Sequence, residues 1–242
     1  MSMDPHDQTR GDSTPFFADD QPAPLSCNEA MSLCLKAARG AGMDWGMAEE
    51  AGFAAAWLVS LGIDGPTYLR AHLERAEGKD WNDLCPVVTP TTWRSAKDQT
   101  VCPIILGATL CDYAGLPEGL QPNACIALGC VSAPILLIPF LAELALERNL
   151  TITLAWADGS ICIEDDMASF GTASELLSTL QLDLKVSAKP AQQPFKTDAR
   201  PTANAHTTAA TIAALNNFAM RTTVPASDAS RARAGSTLSD ND

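Results

Sequence analysis

Apolar residues recur at the spacing of an α-helix early in the chain. One stripe of such a helix consists of Ala30, Leu33, Cys34, Ala37 and Ala38. Ser26 and Glu29 precede this stripe at the spacing of a capping box, in which each side chain accepts a hydrogen bond from the other residue's backbone N–H group. Gly40 and Gly42 follow the stripe and are expected to end the helix. The pattern therefore predicts a first helix from Ser26 to about Gly40.

Two further helices follow at short intervals. Asp44 is placed to cap a helix that runs to about Leu61 and is apolar on nearly all sides from Ala51 onward. Because a helix of this kind is buried all round, we expect it to be the central helix of the domain. A third helix is predicted over residues 65–76, with a proline in its first turn. The glycine turn between the first two helices makes them a helical hairpin.

Three continuous apolar runs lie in the middle of the chain, at residues 103–106, 125–128 and 135–138. Short apolar runs between glycines and prolines are typical of buried strands, although periodicity alone does not distinguish them from helix. A buried strand is therefore the preferred interpretation of each run, and helix stays open as the alternative. Pro139 suits the first turn of a helix that continues to Arg148.

A β-hairpin at residues 151–163 is the clearest strand signal. Alternating segments flank Ala157-Asp158-Gly159, in which Asp-Gly supplies the positive φ angles of a tight turn. Residues 181–186 predict a further strand. Helices followed by strands indicate an α+β (or mixed α/β) fold. We expect an N-terminal helical hairpin plus a mostly buried sheet that includes the β-hairpin near 151–163.

The distribution of large apolar side chains divides the chain into four parts. Residues 1–24 are rich in Asp, Gln and Pro and are predicted to be a disordered N-terminal tail. Residues 25–187 are predicted to form a single α+β core domain. Residues 188–207 contain three prolines and are predicted to be a flexible linker. Residues 208–242 are predicted to form a C-terminal helix followed by a tail that carries a motif.

The chain is acidic, and this narrows its expected partners. Its formal net charge is −13 and its basic residues form no stripe, so we expect no nucleic acid as a partner. No signal peptide is recognisable, which indicates a cytoplasmic protein whose eight cysteines are reduced core thiols. Prolines interrupt the uncharged window 124–142, so we expect a soluble protein and no membrane. Zinc spacing is missing, and neither a metal nor a cofactor is expected.

Arg39, Trp45, Glu49 and Glu50 form the first candidate site. Two carboxylates near a helix start, with an arginine across the turn, could bind a cationic or polar ligand or act in acid–base chemistry. In the structural alternative, the glutamates stabilise the start of one helix and the arginine stabilises the end of the preceding one. Because adjacent helical residues point about 100° apart, Glu49 and Glu50 are not expected to face the same small ligand.

The C-terminal segment carries the second candidate site. Its residues combine hydroxyl and guanidinium groups, as an anion-binding loop does. They are Arg221, Thr222, Ser227, Ser230 and Arg231. The alternative is a solvated tail. The acidic run 164–166 lacks the spaced oxygen ligands of a cation site and is interpreted as a solvated strand end.

Three motifs resemble those of a known family. They are Arg39-Gly-Ala-Gly42 with Trp45-Gly-Met-Ala-Glu-Glu-Ala51, then Pro134-Ile-Leu-Leu-Ile-Pro-Phe140, and finally Arg221-Thr-Thr-Val-Pro-Ala-Ser-Asp-Ala-Ser-Arg231 with Asp240-Asn-Asp242. Together they resemble the bacterial domain of unknown function 3726 family, over most of residues 25–187 and again from about residue 210. The resemblance implies no activity, because the family is uncharacterised. Thr223 and Ala234-Gly235-Ser236 depart from the family pattern, so a site built on those positions would be altered here.

Two functions fit these features. The first is an accessory or interaction subunit of a metabolic system, bound to a protein partner or to a second copy of the chain. It is favoured because no phosphate-binding loop, nucleophile elbow or Ser-His-Asp set is present. The second is a small-molecule-binding protein or an enzyme that takes a small polar metabolite between the Trp45–Glu50 helix start and the Arg221–Arg231 tail. The sequence leaves open whether the protein is an enzyme.

Overall fold

The computed structural model of the protein describes residues 22–97, 99–163, 174–193 and 205–222. Its helices are α1 (Cys27–Gly40), α2 (Trp45–Ser60), α3 (Gly65–Ala76), α4 (Pro103–Asp112), α5 (Ile138–Arg148), α6 (Ser174–Ser178) and α7 (Ala209–Ala219). Its strands are β1 (Ala23–Leu25), β2 (Pro86–Val88), β3 (Trp93–Ser95), β4 (Cys125–Ser132), β5 (Leu150–Trp156), β6 (Gly159–Ile163), β7 (Gln181–Pro190) and β8 (Ala205–Thr207). Short 3₁₀ turns occupy Trp81–Leu84, Pro134–Leu137 and Met220–Thr222.

The predicted N-terminal helical hairpin is confirmed. The Ser26 hydroxyl accepts a hydrogen bond from the Glu29 N–H (3.3 Å), and the Glu29 carboxylate accepts one from the Ser26 N–H (2.9 Å), so the capping box at the start of α1 is complete. Asp44 stands at the N-cap of α2, although its side chain makes no capping hydrogen bond. As predicted, α2 is central, because it packs against α1, α3, α4 and α5.

The strands confirm an α+β fold. A four-stranded sheet has the order β4-β7-β5-β6, and each neighbouring pair in it is antiparallel. The pairs β1–β8 and β2–β3 are also antiparallel. Antiparallel pairing across helical insertions is characteristic of α+β rather than α/β architecture.

The predicted β-hairpin is present, but its turn chemistry was predicted wrongly. Trp156 pairs with Gly159, so the two turn residues are Ala157 and Asp158 rather than Asp-Gly. None of these residues has a positive φ angle. The strand register is set by the apolar side chains, because Leu154 pairs with Ile161 and both side chains are buried. Core pairing therefore places the turn one residue earlier than the Asp-Gly signal does.

Two of the three predicted central strands are wrong. Residues 103–106 form the first turn of α4, where Ile104 and Leu106 are fully buried. Residues 135–138 lie in the 3₁₀ turn and the start of α5, again fully buried. A helix that is buried on several sides and a buried strand both give a short apolar run, so periodicity does not distinguish helix from strand here. Residues 125–128 are confirmed as part of β4.

The last described segment returns to the first. β8 pairs with β1, and the Thr207 hydroxyl donates to the Asp64 carboxylate at the start of α3 (2.7 Å). β7 continues to Pro190, so both ends of the predicted linker 188–207 are strands, and residues 194–204 lie outside the described residues. α7 then packs along α1 and α3.

Helices and sheet share one apolar core, which includes side chains from α1 to α5, from the four-stranded sheet and from α7. Within the described residues, every helix is too short or too polar to cross a membrane.

Candidate functional site

The first turn of α2 separates two concave sites, where the sequence predicted one. Arg39, Trp45 and Thr222 line one of them together with Lys36, and its volume is about 310 Å³. We call this site the basic pocket. Glu49 and Glu50 lie in the other, whose volume is about 590 Å³. We call it the acidic cleft. The structure thus brings three predicted residues together and places the two glutamates on the other side of the helix start.

In the basic pocket, the Arg39 guanidinium is fixed by two contacts. Its Nη1 donates to the backbone carbonyl of Met43, and its Cζ lies 5.0 Å from the centre of the Trp45 ring system. Lys36 stands one turn earlier on α1, so both cationic side chains lie on one helix face. Among the residues that the structure describes, the four that line this pocket include no acid.

The wall formed by Thr222 depends on the return of α7. Arg221 forms an ion pair with Glu77 (2.7 Å) and lies over the Phe218 ring (4.3 Å to the ring centre). The Thr222 hydroxyl donates to the Ala219 carbonyl (2.9 Å) and closes the last turn. Arg221 is therefore directed to Glu77, while Thr222 reaches the pocket. Ser227, Ser230 and Arg231, the other predicted tail residues, lie outside the described residues.

The acidic cleft combines carboxylates with an apolar floor. Its lining residues are Met31, Gly46, Met47, Glu49, Glu50, Phe53, Ala108, Cys111, Asp112, Phe140 and Glu143. The Phe53 and Phe140 rings meet edge to face with their centres 5.7 Å apart. Both Glu49 and Glu50 line this cleft, Glu49 from an exposed position and Glu50 from a half-buried one. The expectation that they do not both face one small ligand stays a prediction.

The carboxylates of the cleft interact with one another. Burial, together with the charges of Asp112 and Glu49, raises the pKa of Glu50 above its ordinary value. Burial and the surrounding acids, Glu50 first among them, raise the pKa of the Cys111 thiol to about 12. None of the described residues that line the cleft is basic. The cleft therefore holds negative charge and a protonated thiol.

Sequence reasoning missed Lys36, although its i,i+3 spacing from Arg39 places both on one face of α1. It also missed Asp112 and Glu143, which only the tertiary structure brings to the acidic cleft. The acidic run 164–166 lies outside the described residues. Among the described residues, no group of three or more His, Cys, Asp and Glu side chains is arranged to hold a metal ion.

A buried histidine and cysteine form a pair outside both sites. His72 Nε2 lies 3.2 Å from Cys102 Sγ. Burial, with a smaller contribution from the Lys79 charge, lowers the pKa of His72 to about 3, and burial raises that of Cys102 to about 12. Both groups are neutral at physiological pH, so the pair lacks the thiolate of a nucleophilic site.

Comparison with known proteins gives a family match over part of the chain and no function. The family model described as "Protein of unknown function (DUF3726)" matches residues 25–102, which confirms the predicted resemblance over that range. The matched range holds Lys36, Arg39, Trp45, Glu49 and Glu50. No curated protein and no solved structure matches the chain.

Proposed function

We propose that the protein binds a small organic cation with an apolar body in the acidic cleft. The observation that supports this most strongly is the convergence of the Glu50 and Asp112 charges above the packed rings of the cleft floor. An ammonium group is attracted to these carboxylates. A hydrocarbon or aromatic body leaves water when it covers the partly exposed Phe53, whose ring packs against the buried Phe140.

The dimensions and donor set of the cleft favour an organic ligand. Its volume of about 590 Å³ falls within the range of roughly 300–1,000 Å³ that is typical of small-molecule sites. The acids of the cleft are not grouped closely enough to be recognised as a metal site within the described residues. Carboxylates that are spread over the cleft can contact different sides of an organic ammonium group, which is larger than a metal ion and carries a more diffuse charge.

Glu50 gives the proposal a test in which binding and stability change in opposite directions. Its raised pKa means that the folded state disfavours the carboxylate, so neutralising this side chain is expected to stabilise the ligand-free protein. The same change removes an ion-pair partner of the amine. A group that destabilises the fold while serving a ligand is typical of binding sites.

The experiment is calorimetric titration with phenethylamine, compared with the uncharged phenethyl alcohol. We expect the amine to bind, the alcohol to bind far more weakly, and Glu50→Gln to weaken amine binding roughly tenfold while raising the melting temperature. Glu118→Gln is the matched control, because Glu118 is exposed, lines neither site and loses the same charge. Equal amine binding by the wild type and Glu50→Gln would contradict the proposal.

The second candidate is an accessory or interaction subunit. It is favoured by two exposed apolar side chains that line the sites, namely Trp45, which is 65% exposed, and Met31, which is 39% exposed. Trp, Met and Arg are enriched in the buried centres of protein interfaces. The cytoplasmic location predicted from the sequence stays a prediction under either candidate.

Native mass spectrometry of the protein, gently purified from its own organism, separates the two candidates. A second protein at fixed stoichiometry, lost in Trp45→Ser, supports the interaction subunit. A lone chain that carries a small-molecule mass supports the ligand-binding protein and contradicts the subunit.

A further inference from the structure

The basic pocket has the opposite charge to the rest of the molecule. The chain carries a formal net charge of −13, yet of the four described residues that line this pocket two are cationic and none is acidic. Within the ranges described by the structure, neither Lys36 nor Arg39 forms an ion pair with an acidic side chain. The pocket therefore concentrates positive charge that the fold does not neutralise there.

Arg39 is held ready to accept a ligand. The bond to the Met43 carbonyl uses one of its five N–H donors and leaves four, and the indole of Trp45 restricts its position. A guanidinium that is already fixed loses less conformational entropy on binding than a free one. Arg39 can therefore offer charge-assisted hydrogen bonds to an anion at little further cost.

Trp45 supplies the second recognition element. It is largely exposed even though it is a large aromatic residue, and the Arg39 guanidinium lies over its ring system. The part of the indole that Arg39 does not cover offers a flat apolar surface on which a planar group stacks. The pocket of about 310 Å³ is at the lower end of small-molecule sites, which limits the ligand to about one ring and one head group.

We infer that the basic pocket binds a small anion that carries a flat unsaturated ring, with the anionic group at Lys36 and Arg39 and the ring against Trp45. This inference concerns a different site from the acidic cleft and does not rest on the proposed function. Its ligand is an anion, whereas the ligand proposed for the acidic cleft is a cation. The head group is a carboxylate or a phosphate, which share the acceptor chemistry that these cations recognise.

Calorimetric titrations with benzoate and with phenyl phosphate test the inference and distinguish the two head groups. At least one of them is expected to bind, and to shift the Trp45 indole N–H resonance, which is assigned by its loss in Trp45→Phe. Cyclohexanecarboxylate is expected to bind more weakly because it has no flat face, and benzamide more weakly because it has no charge. Failure of both aromatic anions to give a saturable shift of this resonance would overturn the inference.

Lys36→Gln provides the matched variant, because Lys36 is exposed and its substitution leaves the Arg39 contacts in place. We expect it to weaken binding of the aromatic anion roughly tenfold. Lys189→Gln removes the same charge from an exposed position of β7 and is expected to leave binding unchanged. Identical affinities for wild type and Lys36→Gln would overturn the inference even if an anion binds elsewhere. Glu50→Gln, which tests the acidic cleft, is expected to leave anion binding intact.

Discussion

The basic pocket and the acidic cleft lie on either side of the same helical turn, but different kinds of contact hold them in place. Behind the basic pocket, α1 meets α7 so closely that a Cβ at Gly40 would lie 1.7 Å from the Phe218 carbonyl oxygen. Behind the acidic cleft, α4 meets α5, and a Cβ at Gly107 would lie 2.2 Å from the ring of Phe140. A helix carbonyl moves only with its helix, whereas a side chain can shift on a backbone that stays in place. The wall of the basic pocket therefore depends on a contact to backbone, and the wall of the acidic cleft depends on a contact to a side chain.

Gly40→Ala is expected to have the largest effect. Helix propensity alone favours alanine over glycine by about 1 kcal/mol, but the added methyl group forces α7 away from α1, at a cost of about 3 kcal/mol. We expect the free energy of unfolding to fall by about 2 kcal/mol, as measured by urea titration, and the binding of aromatic anions to be lost. Gly46→Ala is the control, because a Cβ there meets nothing within 4 Å. A Gly40→Ala protein as stable as Gly46→Ala would contradict the backbone contact.

Gly107→Ala is expected to have a smaller and more local effect. The clash is with a side chain rather than with backbone, and because it also includes Phe140 Cγ (2.4 Å) and Cβ (2.9 Å), the whole side chain has to shift. Overpacking of about 2 kcal/mol is partly offset by the helix propensity of alanine, so we expect a net loss of about 1 kcal/mol. Because Phe140 lies in the floor of the acidic cleft, amine binding should weaken while anion binding persists. Urea titration measures the change in the free energy of unfolding, and calorimetry measures the change in amine and anion affinity. Unchanged amine affinity would show that the ring position does not shape the cleft.

With benzoate as the ligand of the basic pocket, acidification to about pH 5 is expected to affect ligand binding only at the acidic cleft. The pKa of Glu50 is raised, so its protonation begins at a higher pH than for an ordinary glutamate. Protonation removes the carboxylate that an amine requires, so amine affinity falls as the pH drops, by at most about tenfold per pH unit for one such group. Calorimetry from neutral pH down to about pH 5 checks this. In Glu50→Gln this pH dependence should be reduced, and a profile identical to that of the wild type would assign it to another group.

Arg221→Gln is expected to have the smallest effect. The ion pair between Arg221 and Glu77 is largely exposed, and surface ion pairs contribute about 0–1 kcal/mol. We expect a change of about 0.5 kcal/mol in urea titration and almost unchanged anion binding. A loss as large as that of Gly40→Ala would mean that the ion pair, rather than the close helix contact, holds α7 on α1.

Local signals were predictable from the sequence, and tertiary ones were not. The capping box at Ser26 and the β5–β6 hairpin depend on residues a few positions apart, so their patterns are visible in the chain. Arg39 and Trp45 were found together because they flank one short turn. Asp112 was missed because its helix begins with an apolar run that was interpreted as a strand. Thr222 was predicted as a tail residue, but its place beside Trp45 depends on a helix packing across most of the chain.

The pairing of β1 with β8 and of α1 with α7 has a consequence for how the protein is made. During synthesis, α1 leaves the ribosome early, while its partners emerge about 180 residues later, after roughly ten seconds or more of translation. Until then the glycine-bearing end of α1 has no partner to cover it. The β1–β8 pairing and the α1–α7 contact can therefore form only after the ribosome has produced nearly the whole described chain. A chain that ends before α7 is expected to have neither these contacts nor the basic pocket.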